Sequence, residues 1–236
     1  MKNVLITGGS RGIGKACVYE FSNNGYRVFL NYNKSSDEAE KIKNETGAVI
    51  VKADVSDSKQ VNDMAEFIHT NYGKIDVIVN NAGISQQKMF TDITENDWDR
   101  MFDLNMKSMY LVTKAFVDDM IYKQSGKIIN ISSMWGVTGG SCEVHYSAAK
   151  AAVIGFTKAL AKELAPSNIQ VNAIACGVID TQMNACFSEE ERAELADEIP
   201  AGRFGTPEET AHLAVQLATG NEYLTGQIIT LDGGWL

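Results

Sequence analysis

Thr7-Gly8-Gly9-Ser10-Arg11-Gly12-Ile13-Gly14 follows directly on the apolar run Val4-Leu5-Ile6, and this strand-to-turn passage decides the fold. Glycines at Gly8, Gly12 and Gly14 let a backbone turn sharply and approach a pyrophosphate. A helix opening at about Lys15 adds free N–H groups and positive partial charge. Ser10, Arg11 and Ile13 lie in the same loop and are candidate contacts. The spacing is G-x-x-x-G-x-G, which differs from the G-x-G-x-x-G fingerprint. Alone, it also fits a glycine-rich tight turn that holds no ligand.

Outward from this loop, strands alternate with helices along the whole chain. Seven β-rich runs are predicted: Val4–Ile6, Arg27–Leu30, Ala48–Val51, Ile75–Val79, Lys127–Ile131, Ile169–Ile174 and Gln227–Leu231. Between them, Val61, Met64, Ala65 and Ile68 recur at helical spacing, and Val153, Phe156, Leu160 and Leu164 make a similar stripe. Ser188 with Glu191, and Thr206 with Pro207 and Glu209, predict capped helix starts. Apolar strands joined by helical crossovers imply a parallel sheet covered on both faces, a doubly wound α/β architecture. With no internal repeat, linker or composition shift, residues 1–236 are expected to form a single domain.

Composition narrows the function classes. The 236 residues include 21 Lys+Arg and 30 Asp+Glu, a net charge of −9, which counts against a nucleic-acid surface. Apolar stretches are too short for a membrane span. Met1-Lys2-Asn3 leads straight into the first strand without an apolar signal segment, so the expected location is cytoplasmic. Cys17, Cys142, Cys176 and Cys186 are scattered, as are His69, His145 and His212, so thiols are expected and no metal site.

Ligands of such sheets bind beyond the carboxyl ends of the strands. An acidic residue after the second strand would accept hydrogen bonds from an adenosine ribose and repel a 2′-phosphate. The chain instead has Asn31-Tyr32-Asn33-Lys34. With Arg11 and Lys34 as two cations for a phosphate, the expected cofactor is NADPH (NADP+). The alternative is that both are solvated surface charges.

Tyr146 and Lys150 stand four apart and share a helix face, and Ser133 follows the fifth strand. A phenol with a pKa of about 10 is a poor acid at neutral pH unless a cation stabilises its phenolate. Lys150 is the expected cation, and a shift of two or three units would take roughly 3–4 kcal/mol. Taken alone, the pair also reads as an ordinary surface Tyr/Lys pair.

The ordered set Thr7-Gly8…Gly12-Ile13-Gly14, Asp54-Val55, Asn80-Asn81-Ala82-Gly83, Asn105, Ser133, Tyr146-Ser147-Ala148-Ala149-Lys150 and Gly233-Gly234 resembles the short-chain dehydrogenase/reductase family over essentially the whole chain. Within it, the chain looks most like the β-ketoacyl-acyl-carrier-protein reductase group. The resemblance implies a Rossmann-like domain with a seven-stranded parallel sheet, commonly a homotetramer. It implies NADPH-dependent reduction of a ketone to a secondary alcohol, with Tyr146 protonating the carbonyl oxygen. Ser133 would hydrogen-bond that oxygen, Lys150 would lower the tyrosine pKa and hold nicotinamide-ribose hydroxyls, and Asn105 would help hold a water leading to the lysine. Ser133 is preferred over Ser132 because its 13-residue gap to Tyr146 matches the family's spacing.

By the same resemblance, Asp54 and Val55 would meet the adenine, Asn81 and Gly83 would lie beside the cofactor, and Ile179 and Thr181 would lie over the nicotinamide carboxamide. The alternatives are that Asp54 caps a loop and that the Asn-Asn-Ala-Gly motif stabilises the sheet. Cys176-Gly177 replaces the family's usual Pro-Gly, keeping the permissive glycine and losing a fixed φ. A buried, inert thiol is expected there, and His145 is expected as a partly exposed helix-start residue.

The implied substrate is a 3-oxoacyl group on an acidic carrier protein, in fatty-acid synthesis. Basic side chains usual in that group are reduced here to Lys123 and Lys127, and the −9 charge would slow association with an acidic partner. Acyl-coenzyme A thioesters, small ketones and sugars remain alternatives, as does a non-catalytic dinucleotide-binding sensor. Met134, Trp135, Met183, Ala185 and Phe187 suggest an apolar mouth.

Overall fold

β1 (Asn3–Ile6), β2 (Arg27–Tyr32), β3 (Val49–Lys52), β4 (Val77–Asn80), β5 (Gly126–Ser133), β6 (Ile169–Cys176) and β7 (Ile228–Leu231) form one sheet in the order β3-β2-β1-β4-β5-β6-β7. All neighbours pair in parallel. This is the seven-stranded, Rossmann-like architecture expected from the alternating pattern. The computed structural model describes residues 1–184 and 187–236. Strand order reverses between β1 and β4, which opens the crevice where such sheets bind ligands.

Two apolar layers sandwich the sheet. On one face α1 (Gly12–Asn23), α2 (Ser36–Thr46) and α9 (Pro207–Thr219) bury Val18, Phe21, Ile42 and Ala214 against Val4, Val28 and Ile174. On the other, α3 (Ser58–Tyr72), α5 (Ser108–Lys123) and α7 (Val144–Leu164) bury Ile68, Phe116 and Leu164 against Leu5, Ile78 and Val171. Phe116 is fully buried, so Phe116→Ala would cost about 3–5 kcal/mol. The stripe Val61, Met64, Ala65 and Ile68 is buried. On α7, Phe156 and Leu160 are only partly buried; the inward stripe is Ala149, Val153, Thr157, Ala161 and Leu164. Its small side chains let the helix lie close to β5 and β6.

Both capping boxes form, Ser188–Glu191 at α8 (Glu189–Glu198) and Thr206–Glu209 at α9, whose first residue is Pro207. Within the core, Asn80 donates to Asn130 (2.9 Å) and Thr113 (3.1 Å), and Asn130 donates to Thr157 (2.9 Å). Buried amides are costly unless paired, and this chain ties β4, β5, α5 and α7 together directly behind the crevice. Five strands, β2 to β6, run one or two residues beyond their predicted carboxyl ends; β5 reaches Ser133 and β6 Cys176, so both residues lie within the sheet.

Candidate active site

The glycine loop sits at the carboxyl end of β1. α1 begins at Gly12, three residues before the predicted start, so the first free N–H groups belong to the loop itself. Gly14 has no room for a side chain: a Cβ there would lie 2.3 Å from the Gly8 carbonyl oxygen and 2.5 Å from Asn81 Nδ2. The loop is locked from β4. Asn81 donates to the carbonyls of Thr7 (2.9 Å) and Gly8 (3.2 Å), and the Thr7 hydroxyl accepts from the Asn81 and Ala82 amides. Ser10 is buried and Ile13 half-buried, with Ile13 facing the catalytic cleft.

Asn31 is buried at the end of β2, donating to the Val51 and Ala53 carbonyls and accepting from Gly8 N. Tyr32 is half-buried, and Asn33 donates to Asp54 (3.0 Å). Asp54 also accepts from the amide and hydroxyl of Ser56, so its carboxylate shapes its own loop. Val55 is buried in the core. Arg11 and Lys34 are both exposed, and neither makes an ion pair among the described residues.

A cleft of about 290 Å³ opens beside this loop, lined by Ile13, Asn81, Gly83, Asn105, Ser133, Tyr146, Lys150, Ile179 and Thr181 among others. Ser132 and Ser133 have different surroundings. The Ser132 hydroxyl is committed to the Lys150 carbonyl at 3.0 Å. The Ser133 hydroxyl accepts from Trp135 N at 3.2 Å and also interacts with the Tyr146 phenol. Asn105 is held on a π-helical turn, Asp103–Lys107, an irregularity that often marks functional sites. Its amide donates to the Ile84 and Met101 carbonyls and to the Met101 thioether. Thr181 approaches the glycine loop, 3.3 Å from where a Cβ on Gly12 would lie.

The electrostatics differ from the sequence expectation. Burial pushes the Tyr146 phenol well above its ordinary pKa, with the Ser133 hydrogen bond pulling the other way. Burial also pulls Lys150 down to about 8. Its Nζ stands 5.7 Å from the Tyr146 ring centre and donates to the Ile131 carbonyl at 3.0 Å. The cation that was expected to lower the tyrosine pKa is thus itself destabilised, and burial wins. At neutral pH the phenol holds its proton, which is the state a proton donor requires.

His145 is fully buried, contrary to the partly exposed position expected. Its Nε2 lies 2.9 Å from Gln86 Oε1, while Gln86 donates to Asp97. The first turn of α7 faces the 84–88 segment, a long-range packing that helix-start chemistry does not reveal. Cys176 is buried at the cleft, where burial raises its thiol to about 11, so the thiolate is scarce. Gly177 is needed for space rather than for φ: a Cβ there would lie 2.6 Å from Asp232 Cα.

Met134, Trp135, Met183 and Phe187 line the cleft as expected of an apolar mouth. Ala185 and Cys186 lie outside the described residues. The sequence reading missed Glu143, Leu195 and Trp235, which also line it. Only Gly233-Gly234, which signals a tight reversal after the last strand, hinted at Trp235. Among the described residues no group of three or more His, Cys, Asp or Glu side chains converges as a metal site would require. No helix among them is long and apolar enough to cross a membrane.

A sequence profile of the short chain dehydrogenase family matches residues 2–192. The chain belongs to that family and is an NAD(P)-dependent oxidoreductase with a Rossmann-like fold. It is 40% identical over 240 residues to the 3-oxoacyl-(acyl-carrier-protein) reductase FabG of Thermotoga maritima, covering 99% of this chain and 97% of that protein. Against the FabG of Staphylococcus aureus the identity is 36% over 239 residues, covering 99% and 97%. It is also 42% identical over 241 residues to the uncharacterized oxidoreductase YmfI of Bacillus subtilis, covering 99% and 98%. A nicotinamide dinucleotide fits the residues present: α1 starts at Gly12 within the loop and Ile13 lines the cleft, so the unpaired N–H groups of the first turn lie beside it, as a pyrophosphate requires.

Proposed function

We propose that the protein, as a single domain spanning residues 1–236, is an NADPH-dependent 3-oxoacyl-(acyl-carrier-protein) reductase of cytoplasmic fatty-acid synthesis. The observation that carries the chemistry is one buried cluster, Ser133, Tyr146 and Lys150, opening on the same cleft as the glycine-loop residue Ile13. The FabG relatives, matched over nearly their full length, support the carrier-linked substrate.

The bound dinucleotide supplies a hydride to the carbonyl carbon. Tyr146 donates its proton to the carbonyl oxygen, and Ser133 hydrogen-bonds the same oxygen as negative charge develops on it. Lys150, held by Ile131, presents a buried ammonium to the nicotinamide ribose and helps return a proton to Tyr146. Asn105 would help hold a water linking this lysine to solvent. Gly8, Ser10, Arg11, Gly12, Ile13 and Gly14 would hold the pyrophosphate, with Asn81 and Gly83 beside it. Asp54 and the backbone of Val55 would meet the adenine, and Ile179 and Thr181 would lie over the carboxamide. Asn31, Tyr32 and Asn33 lack the carboxylate that would repel a 2′-phosphate, while exposed Arg11 and Lys34 are free to pair with one. The homotetramer is inferred from the family resemblance; Tyr110, Ile121 and Tyr122, exposed on α5, are side chains that an interface there would cover.

One observation favours a different substrate for the same chemistry. α8, whose Leu195 lines the cleft, carries Glu189, Glu190, Glu191, Glu194, Asp197 and Glu198 against a single Arg192. Such a surface repels an acidic carrier, which favours a small ketone, a sugar or another free substrate. NADPH oxidation against acetoacetyl-carrier protein, acetoacetyl-coenzyme A and small ketones separates the readings. A preference for the carrier thioester supports fatty-acid synthesis; equal or better turnover of the free ketones removes the carrier from the assignment.

A further inference from the structure

The cleft is walled by side chains from two ends of the chain. Trp135 stands two residues beyond β5 and packs on the cluster of Met101, Tyr146 and Ala149. Trp235 arrives from beyond β7. Its approach is fixed by Asp232, whose carboxylate accepts from the Gly234 amide (3.0 Å) and the Leu236 amide (2.9 Å). The Gly233 carbonyl accepts from Ala201 N at 3.0 Å, and the missing side chain at Gly177 lets Asp232 settle against the end of β6. The two indoles meet edge to face, with ring centres 6.0 Å apart and an interplanar angle of 73°. Such a pair gains roughly 0.5–1.5 kcal/mol beyond its buried area, which favours this arrangement of the two rings.

Met183 and Leu195 face the same space. At about 290 Å³ the cleft is at the lower limit of small-molecule sites. An apolar wall of two fixed aromatic rings in so small a space discriminates by size: it gives way little to a longer chain, because an overpacked aromatic must leave its rotamer.

We propose that Trp235, seated against Trp135, is a specificity-determining residue that closes the substrate end of the cleft and restricts the enzyme to short-chain ketones. This rests on the carbonyl-reduction reading above, and a short-chain limit favours its small-ketone form over fatty-acid synthesis, in which the acyl chain lengthens with every cycle. No step of the proton transfer is assigned to the indole, so its role is to exclude, and its loss widens the range of substrates without removing the chemistry.

The test compares wild type, Trp235→Ala and Trp235→Leu by kcat/KM for the N-acetylcysteamine thioesters of 3-oxobutanoate and 3-oxodecanoate, with KM for NADPH as the control of folding. The expected result is a wild-type preference for the four-carbon substrate and a rise of at least tenfold in the ten-carbon to four-carbon ratio in both variants, KM for NADPH holding within about twofold. A ratio unchanged within twofold in a variant that retains NADPH affinity overturns the proposal, as does a wild type that already prefers ten carbons. If no thioester is reduced, the acyl reading fails by itself, and the same ratio is read on 2-decanone against 2-butanone. If neither ketone is reduced, the size-selection proposal falls with it.

Discussion

At one end of the cleft, Gly8, Gly12, Ile13 and Gly14 fall within seven consecutive residues; at the other, Trp135 and Trp235 meet across one hundred. The glycine-loop end is held by the backbone, with a turn that excludes side chains and an asparagine from the adjacent strand bonded to its carbonyls. The tryptophan end is held by side-chain packing and one carboxylate-bound turn. A backbone cradle admits almost no substitution, whereas a packed wall can change and still leave a working site. The reacting groups, Ser133, Tyr146 and Lys150, line the same cleft. This arrangement lets one end be fixed by a common cofactor while the other is adjusted to a substrate.

The largest effect on cofactor binding is expected at the backbone end. Gly14→Val places two extra branches where even a Cβ would meet the Gly8 carbonyl at 2.3 Å. Dinucleotide binding, followed by fluorescence of titrated NADPH, should be lost by more than a hundredfold in Kd, equivalent to roughly 3 kcal/mol. Retention of wild-type affinity would mean that the loop does not cradle the cofactor.

Lys150→Met comes next, with a kcat loss of roughly a hundredfold or more for a group that supports proton transfer. It also carries a pH signature. The folded pKa is about 8, below the ordinary value of 10.5. Between these values the unfolded chain binds the extra proton, so stability rises with pH across that window. Below it, the buried ammonium costs about 3 kcal/mol. Denaturant unfolding of wild type should therefore gain stability from pH 8 to 10.5 relative to Lys150→Met. An identical pH slope in both proteins would place the lysine in water.

The smallest effects belong to the exposed cations. Arg11→Ala and Lys34→Ala should each raise KM for NADPH by roughly tenfold, as expected for losing a charged hydrogen bond, and leave KM for NADH unchanged. Equal changes for both cofactors would assign these residues to the pyrophosphate or to the surface.

The same contrast explains what the sequence made legible. The glycine loop, the alternation of strands and helices and both capping boxes depend on neighbours within a few residues, and they could be read directly. The strand ends could not: Ser133 and Cys176 lack the apolar pattern of the strand interiors, although they continue the β5–β6 ladder. Periodicity did not reveal the π-helical turn that buries Asn105. Neither His145, buried through its packing against the 84–88 segment, nor Trp235, delivered by a turn from the far end of the chain, had a local signature. The expected depression of the Tyr146 pKa failed for a related reason, since the charge sits in the sequence but the burial that overrides it arises only in the fold.

The central claim is that Tyr146 is the proton donor in this cleft, and Tyr146→Phe tests it with the loss of a single oxygen. In steady-state oxidation of NADPH with the best ketone substrate, kcat should fall by roughly a hundredfold to ten-thousandfold, while KM for NADPH stays within about twofold. Full reductase activity in the phenylalanine variant would contradict the account.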